Sequence, residues 1–124
     1  MREILFRGKP LINPKLDFVY GSLSIFKDCY SIKENKELTI PTTINSETLG
    51  QFTGLYDKNG NKIFEGDIVR LPLSKMNCKV TFKSGCFVAE YDSHGLTVNN
   101  SLYGGNLEVI GNIYDNMEMC ENDH

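Results

Sequence analysis

The segment from residue 53 to residue 69 constrains the fold of this chain more than any other. It reads T-G-L-Y-D-K-N-G-N-K-I-F-E-G-D-I-V, with short β-forming stretches on both sides of Asn59-Gly60. Asn-Gly is the dipeptide that best tolerates the positive φ angles of a tight hairpin turn. Gly66-Asp67 predicts a second turn directly afterwards, with the Asp67 carboxylate accepting hydrogen bonds from local backbone amides. The segment therefore predicts a β-hairpin followed at once by another strand.

Two loop lengths compete at Asn59-Gly60, and the side-chain pattern favours the longer one. A two-residue loop leaves apolar side chains on both faces of the hairpin. A three-residue loop, with Gly60 in a bulge, sets Leu55 opposite Ile63 and gives one core face and one wet face. We prefer this register, in which the Asp57 carboxylate can cap the amides of the turn.

Ser84-Gly85 predicts a second hairpin with a two-residue loop. This loop length places most of the apolar side chains of the hairpin on one face and most of the polar ones on the other. The packing face carries three cross-strand pairs: Phe82 with Phe87, Val80 with Ala89, and Cys78 with Tyr91.

The other face of this hairpin is predicted to be mostly wet, with Lys79 directly across from Glu90 as an opposite-charge pair. Cys86 lies on this face, so it cannot form a disulfide with Cys78 on the packing face. The four cysteines of the chain include no C-x-x-C pair, which argues against a zinc knuckle and a thioredoxin-like redox motif.

Strand-length apolar stretches between turn residues recur along the whole chain, without sustained helical periodicity, so we predict a mainly β protein. Gly111 interrupts the last strand and predicts a bulge or a close backbone approach, as expected where a small barrel bends to close. One helical turn is predicted over 45–49, capped by Asn45 or Ser46. Asn99-Asn100-Ser101 is typical of a loop. Further strands are predicted at 3–6, 18–26, 29–32, 38–40, 96–98 and 107–114.

The length of 124 residues fits a single domain. Within it we expect an N-terminal β region (1–50), a barrel-like core (51–116) and an acidic tail (117–124). No apolar run approaches the roughly 18 residues of a membrane span. Charged residues also interrupt the apolar stretch at the N-terminus too early for the apolar region of a secretory leader. We therefore expect a cytoplasmic protein that does not contact a membrane.

The net charge of −3 is small, but the charges are segregated along the chain. The candidate binding surface is a basic strip in the middle, formed by Arg70, Lys75, Lys79 and Lys83. A solvated β face also explains such a strip. Small barrels bind nucleic acid on basic faces, but they usually add exposed aromatic rings, and the aromatics of this hairpin fall on its predicted packing face. The basic middle of one copy could also bind the acidic tail of another, which would give a homo-oligomer.

Three arrangements resemble chemical sites, and none satisfies the requirements of the chemistry. The loop that begins at Asp57 has its glycine at the fourth position instead of the sixth, and Ile68 stands where a calcium loop needs a bidentate carboxylate. Glu65 and Asp67 share a strand face without a histidine or a nucleophile, so a turn explains them better. Asp92-Ser93-His94 are consecutive and cannot make the contacts of a hydrolase triad. We expect no catalysis, no metal and no cofactor.

Four sequence blocks together resemble the YopX protein family: F-R-G-K at 6–9, V-Y-G-S-L at 19–23, the run 51–69 and V-I-G-N-I-Y at 109–114. They span almost the whole chain in the family's order. The resemblance implies a phage or prophage protein of bacteria, with a β-barrel core related to SH3-type barrels in the second half. It supplies no activity or catalytic residues, so the expected role is a small interaction module that binds a host or phage protein. The chain departs from the family after Tyr114, where Asp115-Asn116-Met117 implies a less rigidly turned tail.

Overall fold

The computed structural model describes residues 3–13, 15, 17–102 and 105–120, and it has two antiparallel sheets. The strands are β1 (Phe6–Gly8), β2 (Val19–Phe26), β3 (Cys29–Lys33), β4 (Thr42–Thr43), β5 (Gly50–Tyr56), β6 (Lys62–Phe64), β7 (Asp67–Arg70), β8 (Asn77–Lys83), β9 (Cys86–Ser93), β10 (Leu96–Ser101) and β11 (Glu108–Asn112). The helical segments in this part of the chain are two short 3₁₀ helices, Ser46–Thr48 and Met117–Cys120. The mainly β prediction is confirmed.

The chain divides into two compact units, Met1–Phe52 and Thr53–His124. The division lies close to the boundary that we placed at residue 50, and the description of the chain as one domain stays a prediction. Of the predicted acidic tail, residues 121–124 lie outside the described residues. Neither of the two 3₁₀ helices in the described part has the length and apolar character needed to cross a membrane.

The first unit is built on the strand order β4-β3-β2-β1-β5, in which the start of β5 pairs with β1. Strands β2 and β3 form a hairpin whose turn residues, Lys27 and Asp28, have φ angles of 46° and 59°. Two consecutive positive φ angles are the mark of a two-residue turn that matches the strand twist. Ile25 and Phe26 at the tip of this hairpin are exposed.

Two glycines of the first unit sit where a side chain would collide with the fold. A Cβ atom at Gly21 would run into the backbone carbonyl oxygen of Lys33, and one at Gly8 would run into the Ile44 side chain. Gly8 belongs to F-R-G-K and Gly21 to V-Y-G-S-L, so close packing explains one glycine in each of these blocks.

The predicted helical turn at the end of the first unit is confirmed, and a nearby strand prediction is wrong. Asn45 caps the 3₁₀ helix by accepting a hydrogen bond from the Glu47 N–H at 3.0 Å. Residues 38–40 form no strand, because Leu38 has a φ angle of 61° and its side chain points fully into solvent.

The second unit contains the rest of β5 paired with β6, and a sheet of order β10-β9-β8-β7-β11 curled into a half-barrel. This agrees with the predicted barrel-like core, and a relation to SH3-type barrels stays a prediction. The buried cluster of this unit consists of Ile63, Val69, Cys78, Val80, Ala89 and Leu107. It supplies the apolar burial that stabilises the half-barrel.

The longer of the two possible loops closes the hairpin of β5 and β6. The Asp57 N–H donates to the Asn61 carbonyl oxygen at 2.8 Å, and the Gly60 N–H donates to the Asp57 carbonyl oxygen at 3.1 Å. Gly60 has a φ angle of 83°. Counted outward from this closure, Tyr56 lies opposite Lys62, whose ammonium is 6.0 Å from the Tyr56 ring centroid.

The hairpin of β8 and β9 has the predicted register, with Phe82 paired with Phe87 and Lys79 with Glu90. Its turn is Ser84-Gly85, with φ angles of 51° and 83°. Cys78 is buried and Cys86 is exposed, so the two thiols lie apart as predicted.

The last two strands differ from prediction in their bounds. The prediction of a loop at 99–101 is wrong, since these residues continue β10, and all of β10 pairs with β9. Strand β11 is shorter than predicted, and its pairing with β7 shifts register between Val109 and Gly111, which confirms the predicted bulge.

Candidate functional site

The structure divides the predicted basic strip into two pairs with different surroundings. Lys79 and Lys83 lie on β8. Arg70 ends β7, and Lys75 lies in the loop that joins β7 to β8.

Both lysines of the first pair contact the same carboxylate. Lys79 Nζ lies 3.4 Å from Glu90 Oε1, and Lys83 Nζ contacts Glu90 Oε2. The Glu90 side chain is only 8% exposed, whereas both lysine side chains are 44% exposed. The predicted charge pair is confirmed, but the expectation of a wet face is wrong at Glu90. Since Glu90 is shielded from solvent, its charge acts on both lysines at short range and reduces their combined charge to one net positive.

The start of the predicted acidic tail explains part of this burial. The second 3₁₀ helix packs beside β8, where the Asn77 side-chain amide donates to the Met119 carbonyl oxygen at 2.9 Å. Met117 and Cys120 of this helix line a cavity of about 200 Å³ together with Lys79 and Glu90. Before it, the Asn116 N–H donates to the Asn112 carbonyl oxygen at 2.8 Å and the Asn112 N–H donates to Asn116 Oδ1 at 3.2 Å, so the turn at 112–116 is closed by its own hydrogen bonds.

The second pair faces a cavity of about 420 Å³, which we call the basic cleft. Its lining among the described residues is Lys58, Arg70, Leu71, Pro72, Lys75, Asn106 and Glu108. Lys58 Nζ lies 3.7 Å from Glu108 Oε1, and Arg70 Nε donates to Asn77 Oδ1 at 3.2 Å. Within the described part of the chain, no carboxylate lies within ion-pair distance of Arg70 or Lys75. Three cations against one carboxylate make this cleft positive.

An adjoining cavity of about 460 Å³ shares Leu71, Pro72 and Asn106 with the basic cleft, and we call it the apolar extension. Leu107 forms part of its buried base, whereas Leu73 is 96% exposed. Its other described lining residues are Ser74, Asn100 and Ser101. The two cavities therefore place cationic, apolar and hydrogen-bonding groups side by side.

The loop at 71–76 holds Lys75 in place through its own backbone. The Leu71 N–H donates to the Met76 carbonyl oxygen at 2.9 Å, and the Lys75 N–H donates to the Leu71 carbonyl oxygen at 3.1 Å. Lys75 has a φ angle of 56°, a region that non-glycine residues rarely adopt. Such conformations persist where the surrounding structure fixes them, and they cluster at functional sites.

Asp57 fixes the opposite wall of the basic cleft. Its carboxylate accepts hydrogen bonds from the N–H groups of Asn59 (2.9 Å), Asn61 (2.8 Å) and Val109 (3.0 Å). Burial by itself raises the pKa of the Asp57 carboxyl, but these backbone donors outweigh it and hold the pKa below its ordinary value. The neighbouring Lys58 N–H donates to the Leu107 carbonyl oxygen at 2.8 Å, so Lys58 is held beside Glu108.

The other predicted turn residues have structural roles. The Asp67 carboxylate accepts a hydrogen bond from the Phe64 N–H at 2.8 Å, and the Gly66 N–H donates to the Val80 carbonyl oxygen at 2.8 Å. Gly66 has a φ angle of 92°, which favours glycine. Asp67 is buried, as expected for a carboxylate that closes a turn.

Sequence reasoning missed several residues that matter for the surface. Lys58, Leu73 and Glu108 line the two cavities but are not among the residues of the predicted binding surface. Phe82 was expected on the packing face, but it is 52% exposed near the hairpin end, in edge contact with Phe87 at 5.0 Å between ring centroids.

In the first unit, the F-R-G-K block places two cations in the interior. Arg7 and Lys9 are 4% and 3% exposed, and both lie over the Phe18 ring, at 4.0 and 4.5 Å from its centroid. Arg7 lies in β1 and Lys9 directly follows it, two residues on, so the two side chains point to the same side of the chain. Cation–π contacts are stronger when they are desolvated, so the Phe18 ring offsets part of the cost of burying these two cations.

The fold and the cleft define a small, mainly β protein with a basic cleft in its second unit. The family model described as YopX protein matches residues 13–121, and the chain belongs to this family. A search of curated proteins found no match. The crystal structure of protein EF1440 from Enterococcus faecalis is similar, with a TM-score of 0.58 and 24% sequence identity over 98% of this chain and 100% of that one. This likeness shows the fold alone.

Proposed function

We propose that this protein is a phage- or prophage-encoded, non-catalytic interaction module that binds a host or phage protein in the bacterial cytoplasm. The binding surface is the basic cleft. The observation that carries the proposal is the difference between the two basic pairs. Lys79 and Lys83 are both ion-paired with Glu90, whereas Arg70 and Lys75 have no carboxylate within ion-pair distance among the described residues and open onto a cavity with Lys58.

The carboxylates that the sequence singled out support a non-catalytic role. Asp57 and Asp67 are buried and accept hydrogen bonds from backbone amides of their own turns. A carboxylate used in this way stabilises a turn and is poorly placed to move a proton of a substrate. The phage or prophage origin rests on the family resemblance.

Nucleic-acid binding through the surface from Arg70 to Lys83 is the alternative function. One observation favours it: Phe82 is exposed close to Lys83, and an exposed ring beside a cation is the pairing that stacks on bases. The ion pairs with Glu90 oppose it, because they reduce the charge that Lys79 and Lys83 offer to a phosphate.

A tagged-protein pull-down from host lysate, with and without nuclease, separates the two functions. We expect a specific protein that survives nuclease, is lost with Arg70→Glu/Lys75→Glu, and is retained with Lys33→Glu/Lys36→Glu. The second double variant makes the same change in net charge on exposed residues of the first unit. Material that disappears with nuclease, and is lost with Lys79→Glu/Lys83→Glu, would make nucleic-acid binding the function instead.

A further inference from the structure

We infer that the occupant of the cleft is an extended segment of a partner protein in which acidic residues stand next to apolar ones. This inference rests on the proposed function and names the chemistry of the partner. Three neighbouring parts of the site support it: the charge of the basic cleft, the exposed leucine of the apolar extension, and the amides and hydroxyls between them.

The charge of the basic cleft selects a carboxylate. Arg70 and Lys75 are exposed on its rim, and an arginine fork matches the two oxygens of a carboxylate. Glu108 at the other end of the cleft already pairs with Lys58 and repels further negative charge there. The site therefore suits a short acidic stretch better than a continuous chain of phosphates.

The apolar extension selects an aliphatic side chain next to that acidic stretch. Leu73 is 96% exposed beside a cavity of about 460 Å³ that also includes Leu71 and Leu107. Burying an aliphatic side chain against these leucines would contribute roughly 1.5–3 kcal/mol before the cost of ordering the segment. A cavity of this size lies within the range of roughly 300–1,000 Å³ that is usual for binding pockets.

The polar lining suits a peptide backbone. Asn100, Ser101 and Asn106 bring amide and hydroxyl groups to the extension, and β10, which contains the first two, is an edge strand of its sheet. Such groups can donate to the C=O groups and accept from the N–H groups of an extended chain. The described lining of both cavities contains no aromatic ring, so the stacking platform typical of single-stranded nucleic-acid sites is not present among these residues.

Fluorescence anisotropy with short labelled peptides tests the inference directly. The probe is Ser-Gly-Asp-Asp-Leu-Leu-Gly-Ser, compared with one peptide in which Asn replaces both Asp, one in which Ser replaces both Leu, and an oligo-dT of similar length. We expect the unmodified probe to bind the full-length protein about tenfold more tightly than any of the other three. Arg70→Gln/Lys75→Gln should abolish the preference for Asp over Asn. Leu73→Ser should abolish the preference for Leu over Ser, and circular dichroism checks that each variant is folded.

The inference is overturned if no peptide binds, if all peptides bind equally, if oligo-dT binds most tightly, or if the two variants leave the preferences unchanged. Its failure is distinguishable from failure of the proposed function. A nuclease-resistant partner lost with Arg70→Glu/Lys75→Glu would keep the interaction module while the acidic-apolar segment is rejected. Without such a partner, both are rejected.

Discussion

A single carboxylate, that of Asp57, connects the turn between β5 and β6 to strand β11. It closes the hairpin of β5 and β6 and also accepts the Val109 N–H of β11. The side chain is buried, so each of these donors would lose a partner if the carboxylate were replaced, and buried donors without partners are costly. The residue therefore orders one wall of the basic cleft without facing a ligand.

We predict that Asp57→Asn lowers the free energy of unfolding by about 1–3 kcal/mol at neutral pH. The Asn side chain keeps one oxygen, but its amide group presents hydrogens toward backbone N–H donors. Urea unfolding measures the change, with Asp92→Asn as the control. Asp92 is exposed and accepts one hydrogen bond from Thr97, so its replacement should cost much less. Equal losses in the two variants would contradict the role assigned to Asp57.

The same carboxylate makes stability depend on pH. Its pKa in the folded protein lies below the ordinary value of 3.8. The stabilisation is therefore present above that ordinary value and is lost as the pH falls through the lower, folded value. The difference in stability between the wild type and Asp57→Asn should shrink as the pH is lowered through this range.

At the scale of secondary-structure elements, local signals predicted the turns, and distant contacts escaped prediction. Asn59-Gly60 and Ser84-Gly85 carry their own φ preferences, so their loops could be read from adjacent residues. The bond from Val109 to Asp57 spans 52 residues, and no pattern near either residue indicates it. The basic cleft was missed for the same reason: Lys58, Arg70 and Glu108 come from separate segments that only the fold brings together.

The bulge in β11 gives a test at this scale. A Cβ atom at Gly111 would lie 2.6 Å from Asn116 Oδ1, which accepts the Asn112 N–H at 3.2 Å. We predict that Gly111→Ala displaces the Asn116 side chain and costs about 1–3 kcal/mol in thermal or urea unfolding. In an Asn116→Ala background the same change should cost clearly less, because the obstructing side chain is gone. Additive effects in this cycle would show that the crowding is elsewhere.

The β8 and β9 ribbon gives a second test. We predict that Glu90→Gln strengthens oligo-dT binding and makes its salt dependence steeper. The reason is that the substitution releases Lys79 and Lys83 to pair with phosphates. Titrations at several salt concentrations measure the slope. Glu34→Gln is the matched control, since it makes the same charge change at an exposed pair with Lys36. An equal response in both variants would mean that net charge alone is responsible.

At the scale of the whole molecule, the burial of apolar side chains differs strongly from strand to strand. The central strands of the half-barrel contain Val69, Val80 and Ala89, which are at most 2% exposed, whereas Ile25 and Phe26 at the tip of the first unit's hairpin are exposed by more than half. Stability follows such differences, because segments with few buried apolar contacts open more readily.

Hydrogen exchange followed by mass spectrometry should therefore find the slowest amides in β7, β8 and β9. The tip of the β2 and β3 hairpin, around Lys27 and Asp28, should exchange fastest among the strand-forming segments. Faster exchange in β8 than at this tip would contradict the assignment of the core.

The oligomer proposed from charge segregation is a separate property of the whole molecule, and a mass by light scattering that falls at high salt would support it.

The loop that carries Leu73 and Lys75 closes through its own backbone hydrogen bonds, and both side chains project away from the buried cluster. Natural selection can therefore exchange these side chains at little cost to the half-barrel, since connecting loops tolerate substitution better than the strands that they join. The same scaffold can thus present a cleft edge of different charge and apolar area.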